Sequence, residues 1–357
     1  MRKNLFATTP GIIIVGAVIG LIAVWLQKLG NPANMGICVA CFERDVAGGL
    51  GLHRAAIVQY LRPEIMGLVL GSLAAAIATR EFKPRGGSAP IVRFVLGMIA
   101  AMGALVFLGC PWRAILRLAG GDGNAILGLA GLVGSGRTEI AEAIFGAEHY
   151  DGGVSGALFP VIAVCLLLLY LIFPQIPDQP QSGPLFYSVK GPGSQHAPFI
   201  ASLGLAFIIG IFAQRSRFCT MGAFRDLFLF RYTHLFLGLA AMFAAAFIAN
   251  ALTGGLKFGF EGQPVAHSDF LWNYLGMVTA GLAFALAGGC PGRQLFMAGE
   301  GDSDAGIFAL GMLVGAAMAH NLGTASSGTG IGVYGMQATI LGFAVCLIIG
   351  FVHSKKA

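Results

Sequence analysis

Charge is what this chain lacks. Of 357 residues only 38 are Asp, Glu, Lys or Arg, or 11%, against roughly 25% in an ordinary soluble domain. Apolar residues make up 56%, and the mean hydropathy is +0.79. So small a polar stock cannot cover a water-facing exterior. A soluble enzyme, a nucleic-acid binder and a secreted disulfide scaffold are therefore excluded as descriptions of the whole chain. The net charge of +6 reads as anchoring of loops at a lipid surface, not as a patch for polyanions. The composition is that of an integral membrane protein, with the bilayer as partner and no nucleic acid.

Charge-free runs locate the spans. No charged residue occurs in 4–27, 191–214, 232–256, 270–292 or 305–354. A bilayer-crossing helix needs about 20 apolar residues, and an unpaired charge at its centre costs roughly 3 kcal/mol. With 65–79, 94–110, 124–140 and 157–173 added, an all-α polytopic chain of about nine to ten segments is expected. The shorter ones would be broken or re-entrant. The first segment has no clear small-residue cleavage site and reads as retained. Basic loops orient the chain. Arg2 and Lys3, the loop with Arg80, Lys83, Arg85 and Arg93, the group Arg215, Arg217, Arg225 and Arg231, and the tail Lys355–Lys356 all belong in the cytoplasm. Both termini are then cytoplasmic and the membrane is the inner (cytoplasmic) one.

The chain is similar to itself at a long offset. Cys38, Arg44-Asp45 and His53 recur as Cys219, Arg225-Asp226 and His234 at an offset of 181. Gly109-Cys110-Pro111-Trp112-Arg113 with Asp122 recurs as Gly289-Cys290-Pro291-Gly292-Arg293 with Asp302 at 180, and Cys165 matches Cys346 at 181. Six of seven cysteines pair off, leaving Cys41 opposite Gly222. The reading is a tandem duplication: 1–174 as the first repeat, 175–198 as an external linker, 199–357 as the second repeat. Five segments per copy is odd, so the copies would enter the membrane with opposite polarity. Inverted repeats of this kind commonly build transporters with a site near the midplane.

Gly-Cys-Pro-x-Arg at the end of an apolar run holds a thiol where a helix breaks, with a guanidinium three residues on. Non-helical backbone at membrane depth is tolerated only where it lines a cavity or is buried in protein. A thiol is a weak donor and a soft acceptor, suited to an anion whose terminal atom is sulfur or selenium. Cys38, Cys110, Cys219 and Cys290 are therefore the candidate substrate path. Cys41, in Cys38-x-x-Cys41, is a candidate redox partner through a disulfide or persulfide. Arg44, Arg113, Arg225 and Arg293 have two readings. They attract the anion, or each satisfies the aspartate of its own copy, Asp45, Asp122, Asp226 or Asp302. Cys165 and Cys346, mid-segment, read as packing, as do His53 and His234 in loops. The pairs Gly16-x3-Gly20, Gly67-x3-Gly71 and Gly311-x3-Gly315 permit close helix crossing. No second Cys-x-x-Cys and no Cys–His cluster completes a tetrahedral set, so neither metal nor other cofactor is expected. No catalytic residue is assigned.

One stretch stands apart. Gly131-Leu132-Val133-Gly134-Ser135-Gly136-Arg137-Thr138 fits a phosphate-loop pattern if Arg137 replaces Lys, and with 139–146 it resembles the phosphate loop of sugar-importer ATPases. No second nucleotide motif accompanies it, so ATP binding is not expected. Arg137, Glu139 and Glu142 interrupt what would otherwise be an apolar span near 133–156.

At Gln214-Arg215-Ser216-Arg217-Phe218-Cys219, Phe224-Arg225-Asp226 and Ala287-Gly288-Gly289-Cys290 the chain resembles the YeeE/YedE family of sulfur-transport-type membrane proteins. Asn31-Pro32-Ala33-Asn34-Met35-Gly36-Ile37-Cys38 and the two Gly-Cys-Pro-x-Arg motifs resemble its YedE branch, associated with selenium transport. The resemblance implies an hourglass-shaped body in which cysteines on opposed loops pass the ion. Cys41 and the Gly-Cys-Pro-x-Arg form depart from the thiosulfate importers of the family. The expected function is a permease for a small sulfur- or selenium-containing anion, and not an enzyme. Uptake would be passive, ion-coupled or pulled by cytoplasmic consumption. The last of these implies a cytoplasmic sulfur or selenium carrier protein as partner. The alternative is a membrane thiol enzyme transferring sulfur or selenium through Cys38-Cys41, and a third reading is a membrane-anchoring subunit.

Overall fold

The computed structural model describes residues 5–87, 89–135, 150–151, 155–175 and 183–354. Among these, fourteen α-helices follow one another. They are α1 (Thr9–Lys28), α2 (Val39–Gly49), α3 (Pro63–Ala78), α4 (Pro90–Phe107), α5 (Pro111–Ala119), α6 (Asn124–Ser135) and α7 (Ser155–Ile172). After the 183–198 segment come α8 (Phe199–Ser216), α9 (Thr220–Phe230), α10 (His234–Leu252), α11 (Phe270–Leu286), α12 (Pro291–Gly299), α13 (Ser303–Asn321) and α14 (Gly335–Ser354). The described strands are a two-residue pair, Arg85–Gly86 against Tyr150–Asp151. Eight helical stretches among the described residues are long and apolar enough to cross a bilayer, and α3 and α6 are shorter apolar helices. The all-α polytopic architecture expected from the charge-free runs is what the chain forms.

The remaining four helices are short. α2 and α9 have 11 residues, α5 and α12 have 9. At about 1.5 Å per residue they reach roughly 13–17 Å, about half a bilayer. Their sequences say why they start where they do. Before α5, Leu108 turns left-handed (φ 62) and Pro111 opens the new helix at a position that needs no N–H. Before α12, Gly288 (φ 82) makes the turn and Pro291 opens the helix. Before α9, Arg217 is left-handed (φ 57) and Cys219 caps.

Helix pairing crosses between the N-terminal and C-terminal parts of the chain: α1 packs on α10, α3 on α8, α4 on α13, α6 on α11, and α4 on α11. Missing side chains allow it. A Cβ on Gly16 would run into the Gly238 carbonyl, and one on Gly71 into the Phe207 carbonyl. Gly97 and Gly311 meet the carbonyls of Phe308 and Phe94, while Gly103 and Gly276 face each other's carbonyls. In lipid, where tails are as apolar as Leu, such close backbone approach supplies the attraction between helices. Gly16→Ala is expected to destabilise the fold by about 2 kcal/mol through overpacking. Gly204→Ala, on an exposed face with nothing within 4 Å, should be neutral or stabilising. Thermal unfolding in detergent compares the two.

Loops tie the same halves together. The 183–198 segment lies along the stretch after α2: Phe186 N donates to Gly49 O (2.9 Å), Ser188 N to Gln59 O (2.8 Å) and Gly193 N to Ile57 O (2.8 Å). The loop after α10 closes over the end of α5, with Lys257 N on Gly120 O (2.8 Å) and Gly259 N on Gly121 O (3.1 Å). The loop after α3 does the same to α12, with Lys83 N on Glu300 O (3.1 Å) and Arg85 N on Gly301 O (2.9 Å). Of the phosphate-loop-like run, Gly131–Ser135 form the last turns of α6. Gly136-Arg137-Thr138 and the rest of that stretch to 149 lie outside the described residues, as do 176–182.

Candidate functional site

Four cysteines sit at the N-termini of the four short helices. Cys38 caps α2 and its Sγ accepts the Cys41 N–H at 3.3 Å. Cys110 occupies the N-cap position of α5 without a side-chain cap hydrogen bond, and its sulfur lies near the N–H groups of Arg113 in its own helix and of Val39, first residue of α2. Its thiol meets that of Cys38. Two helix N-termini, each with N–H groups outside the helix's own bonding and a positive dipole end, thus converge on one pair of sulfurs. The second set repeats the design. Cys219 caps α9 and accepts the Gly222 N–H at 3.3 Å. Cys290 occupies the N-cap position of α12, again without a side-chain cap hydrogen bond, and its sulfur lies near the N–H groups of Arg293 and of Thr220, first residue of α9. The Cys219 and Cys290 sulfurs are 3.9 Å apart. All four are buried free thiols, as is Cys41.

The first set carries a guanidinium without a carboxylate. Arg113 is 0% exposed. It donates to the carbonyls of Asn34 (3.2 Å), Val265 (3.0 Å), Pro264 (3.4 Å) and Leu108, and to Cys41 Sγ at 3.6 Å. No ion pair holds it among the described residues. Asp122, which the sequence offered as its partner, is taken by Arg117 (2.6 Å) and by Asn124. Helix α5 therefore buries two guanidiniums against one aspartate. A charge in such a place has lost its water, and hydrogen bonds to carbonyls compensate it only in part.

The second set is compensated. Arg293 pairs with Glu300 (3.2 Å), which is 1% exposed and also receives Arg217 (3.0 Å) and Arg85 (3.4 Å). Asp302, read as Arg293's aspartate, instead holds Arg85 at 2.9 Å. Two of the four Arg–Asp pairings thus differ from the within-copy reading. The other two hold: Arg44 binds Asp45 at 2.7 Å and Arg225 binds Asp226 at 2.9 Å. Asp45 is further gripped by Arg62 at 2.7 Å. Both pairs lie midway along their short helices, α2 and α9. Arg117 and Glu300 escaped the sequence reading, although a signal existed: Arg117 is opposite Met297 and Glu300 opposite Gly120 at the offset of 180. A charge present in one motif and absent from its counterpart marks a place where the two sites differ.

Trp112 also escaped. It is 1% exposed, its Nε1 has no hydrogen-bond partner among the described residues, and its ring lies edge-on to Phe218 (5.6 Å) and against Phe296 (5.9 Å). Thr220 Oγ1, next to Cys219, is likewise buried without a partner among the described residues. Other sequence-flagged groups are structural. His53 Nε2 bonds the Arg44 carbonyl (3.0 Å) while Nδ1 accepts from Ala55 N (3.2 Å), and its ring lies tilted against that of His320 at 4.7 Å. Burial pushes the His53 imidazole below its ordinary range, so it stays neutral at pH 7 in the tautomer those two bonds need. His234 contacts Thr9 at 3.4 Å and stacks on Tyr232. Cys165 is exposed on α7 and Cys346 is buried in α14. Among the described residues no group of three His, Cys, Asp or Glu is arranged to hold a metal ion.

The fold is that of a multi-pass α-helical membrane protein, built around broken and half-length helices whose thiol-capped ends are buried. Residues 215–351 match the family model described as Sulphur transport. The chain is also similar to the thiosulfate transporter TsuA of Spirochaeta thermophila, 32% identical over 106 residues. That stretch is 30% of this chain and 32% of the relative.

Proposed function

We propose that the protein is a permease for a small anion with a terminal sulfur or selenium, thiosulfate or a selenium analogue. The observation that carries this is the convergence of capped half-helices on paired sulfurs, with Cys219 and Cys290 3.9 Å apart. The site needs an anion, because it offers helix N-termini and a buried Arg113 without a carboxylate. It needs a soft one, because the groups beside those charges are thiols. The Sulphur transport match and the likeness to a thiosulfate transporter support the same class. In this reading the anion enters one set, is held by Cys38, Cys41, Cys110 and Arg113, and passes to Cys219, Cys290 and Arg293.

The two sets belong to inverted copies, 1–174 and 199–357, on either side of the 175–198 linker. The crossed pairing supports this: α1 on α10 has its counterpart in α8 on α3, and α4 on α13 in α11 on α6. Basic residues place both termini on the cytoplasmic side of the inner membrane, where a sulfur or selenium carrier protein would receive the cargo. The thiol-enzyme alternative suits the buried Cys38 and Cys41 less well, since a carrier protein's thiol must reach the attacked sulfur.

Uptake of labelled thiosulfate into proteoliposomes tests the proposal. Selenite, sulfite and selenosulfate are expected to compete in proportion to how well they present a soft terminal atom, and sulfate hardly at all. Uptake no greater than in empty vesicles, or equal competition by sulfate, would overturn it. Persulfide turning over on Cys38 or Cys41 without transport would favour the enzyme.

A further inference from the structure

We propose that Trp112 is the gate of this path: its ring closes the passage between the two thiol sets, and its indole N–H hands the anion across. The inference rests on the permease reading. Trp112 stands two residues after Cys110 and one before Arg113, in the first turn of α5. Its ring reaches towards the other set. It lies 5.6 Å from Phe218, the residue before Cys219, and 5.9 Å from Phe296 of α12. It also covers Gly292, two residues after Cys290: a Cβ there would sit 3.4 Å from Trp112 Cε2 and Cζ2. Trp112 and Gly292 hold the same place in the two Gly-Cys-Pro-x-Arg motifs. One motif carries the ring and the other leaves the room for it. The aromatic cluster therefore lies between Cys110 and the Cys219–Cys290 pair.

Two properties of the side chain have separate consequences. As a wedge among Phe218 and Phe296, the ring makes a hydrophobic constriction, which hydrated ions do not wet. Sulfate, holding its water through four hard oxygens, is stopped there, while a soft anion already desolvated by thiols is not. As a donor, the indole is unsatisfied. Buried Trp N–H groups ordinarily find an acceptor, yet Trp112 Nε1 has none among the described residues. A lone N–H between two anion stations is free to bond the anion in transit, when neither thiol pair holds it fully.

Trp112→Phe keeps an aromatic wedge and removes the N–H, whereas Trp112→Ala removes both. In proteoliposomes, with signals normalised to folded protein from size exclusion, Trp112→Phe is expected to slow thiosulfate uptake about three- to tenfold, the worth of one hydrogen bond, while still excluding sulfate. Trp112→Ala is expected to admit sulfate, lowering thiosulfate-over-sulfate selectivity at least about tenfold. Should Trp112→Ala fail to insert, Trp112→Leu, apolar but too small to fill the space, gives the same readout. A wild-type rate in Trp112→Phe, or sulfate still excluded by the truncated variants, would overturn the gate. Wild-type protein that carries no thiosulfate at all would instead sink the permease reading beneath it.

Discussion

Cys110→Ala and Cys290→Ala are each expected to reduce thiosulfate uptake to the level of empty vesicles, while Cys165→Ala leaves it unchanged. Each of the two sulfurs lies where N–H groups from two helices point, Arg113 and Val39 at Cys110, Arg293 and Thr220 at Cys290. Removing either sulfur breaks the pair at that focus and leaves Cys38 or Cys219 to meet the anion's terminal atom by itself. Both proteins should still fold, since neither side chain makes a cap hydrogen bond to its helix that alanine would remove. Serine variants sharpen the test. Cys110→Ser retains a small cap with an O–H donor but replaces a polarizable atom by a hard one, so it should fail almost as completely as alanine. Uptake assays alongside circular dichroism and size exclusion check both points. Normal uptake in both alanine variants would exclude a path through these thiols. Cys165, exposed on α7, reports on the effect of cysteine loss alone.

Arg113→Gln is expected to raise the KM for thiosulfate about ten- to a hundredfold, from the loss of a charged hydrogen bond worth roughly 1.5–3 kcal/mol. Arg293→Gln should raise it only about threefold, within the range of a partly compensated contact. The two arginines occupy matching motif positions, yet their surroundings differ. Arg113 faces four carbonyls and a thiol, so an arriving anion is its first full counter-charge. Arg293 already shares Glu300 with Arg217 and Arg85, and an anion must compete with that carboxylate. Arg113→Lys keeps the charge but not the planar fork that spans those carbonyls, so it should recover only part of the affinity. Equal KM shifts in Arg113→Gln and Arg293→Gln would show that the difference in ion pairing has no functional weight.

Much of this was legible beforehand. The nine charge-free or charge-poor runs fall, over the described residues, on α1, α3, α4, α6, α7, α8, α10 and α11, with the long run 305–354 holding both α13 and α14, because a low-dielectric solvent excludes unpaired charge so strongly. Gly-Cys-Pro-x-Arg announced its helix break, since Pro and Gly act on the backbone where they stand. The crossing glycines were readable for the same reason. What failed was partner choice. Arg113 and Asp122 stand nine residues apart, and so do Arg293 and Asp302, but a helical turn brought Arg117 to the first aspartate and the loop after α3 brought Arg85 to the second.

By itself, then, the sequence determined that the chain lives in a bilayer, where it crosses, where it breaks, and which soft and charged side chains stand at the breaks. These follow from local chemistry and from the solvent. Only the tertiary structure decided that the thiols meet in two sets, that Arg113 is left without a carboxylate while Arg293 is not, and that Trp112 fills the space over Gly292. Those outcomes depend on which helices cross at glycine-lined contacts, and residues some 70 to 220 positions apart meet only once that crossing has formed.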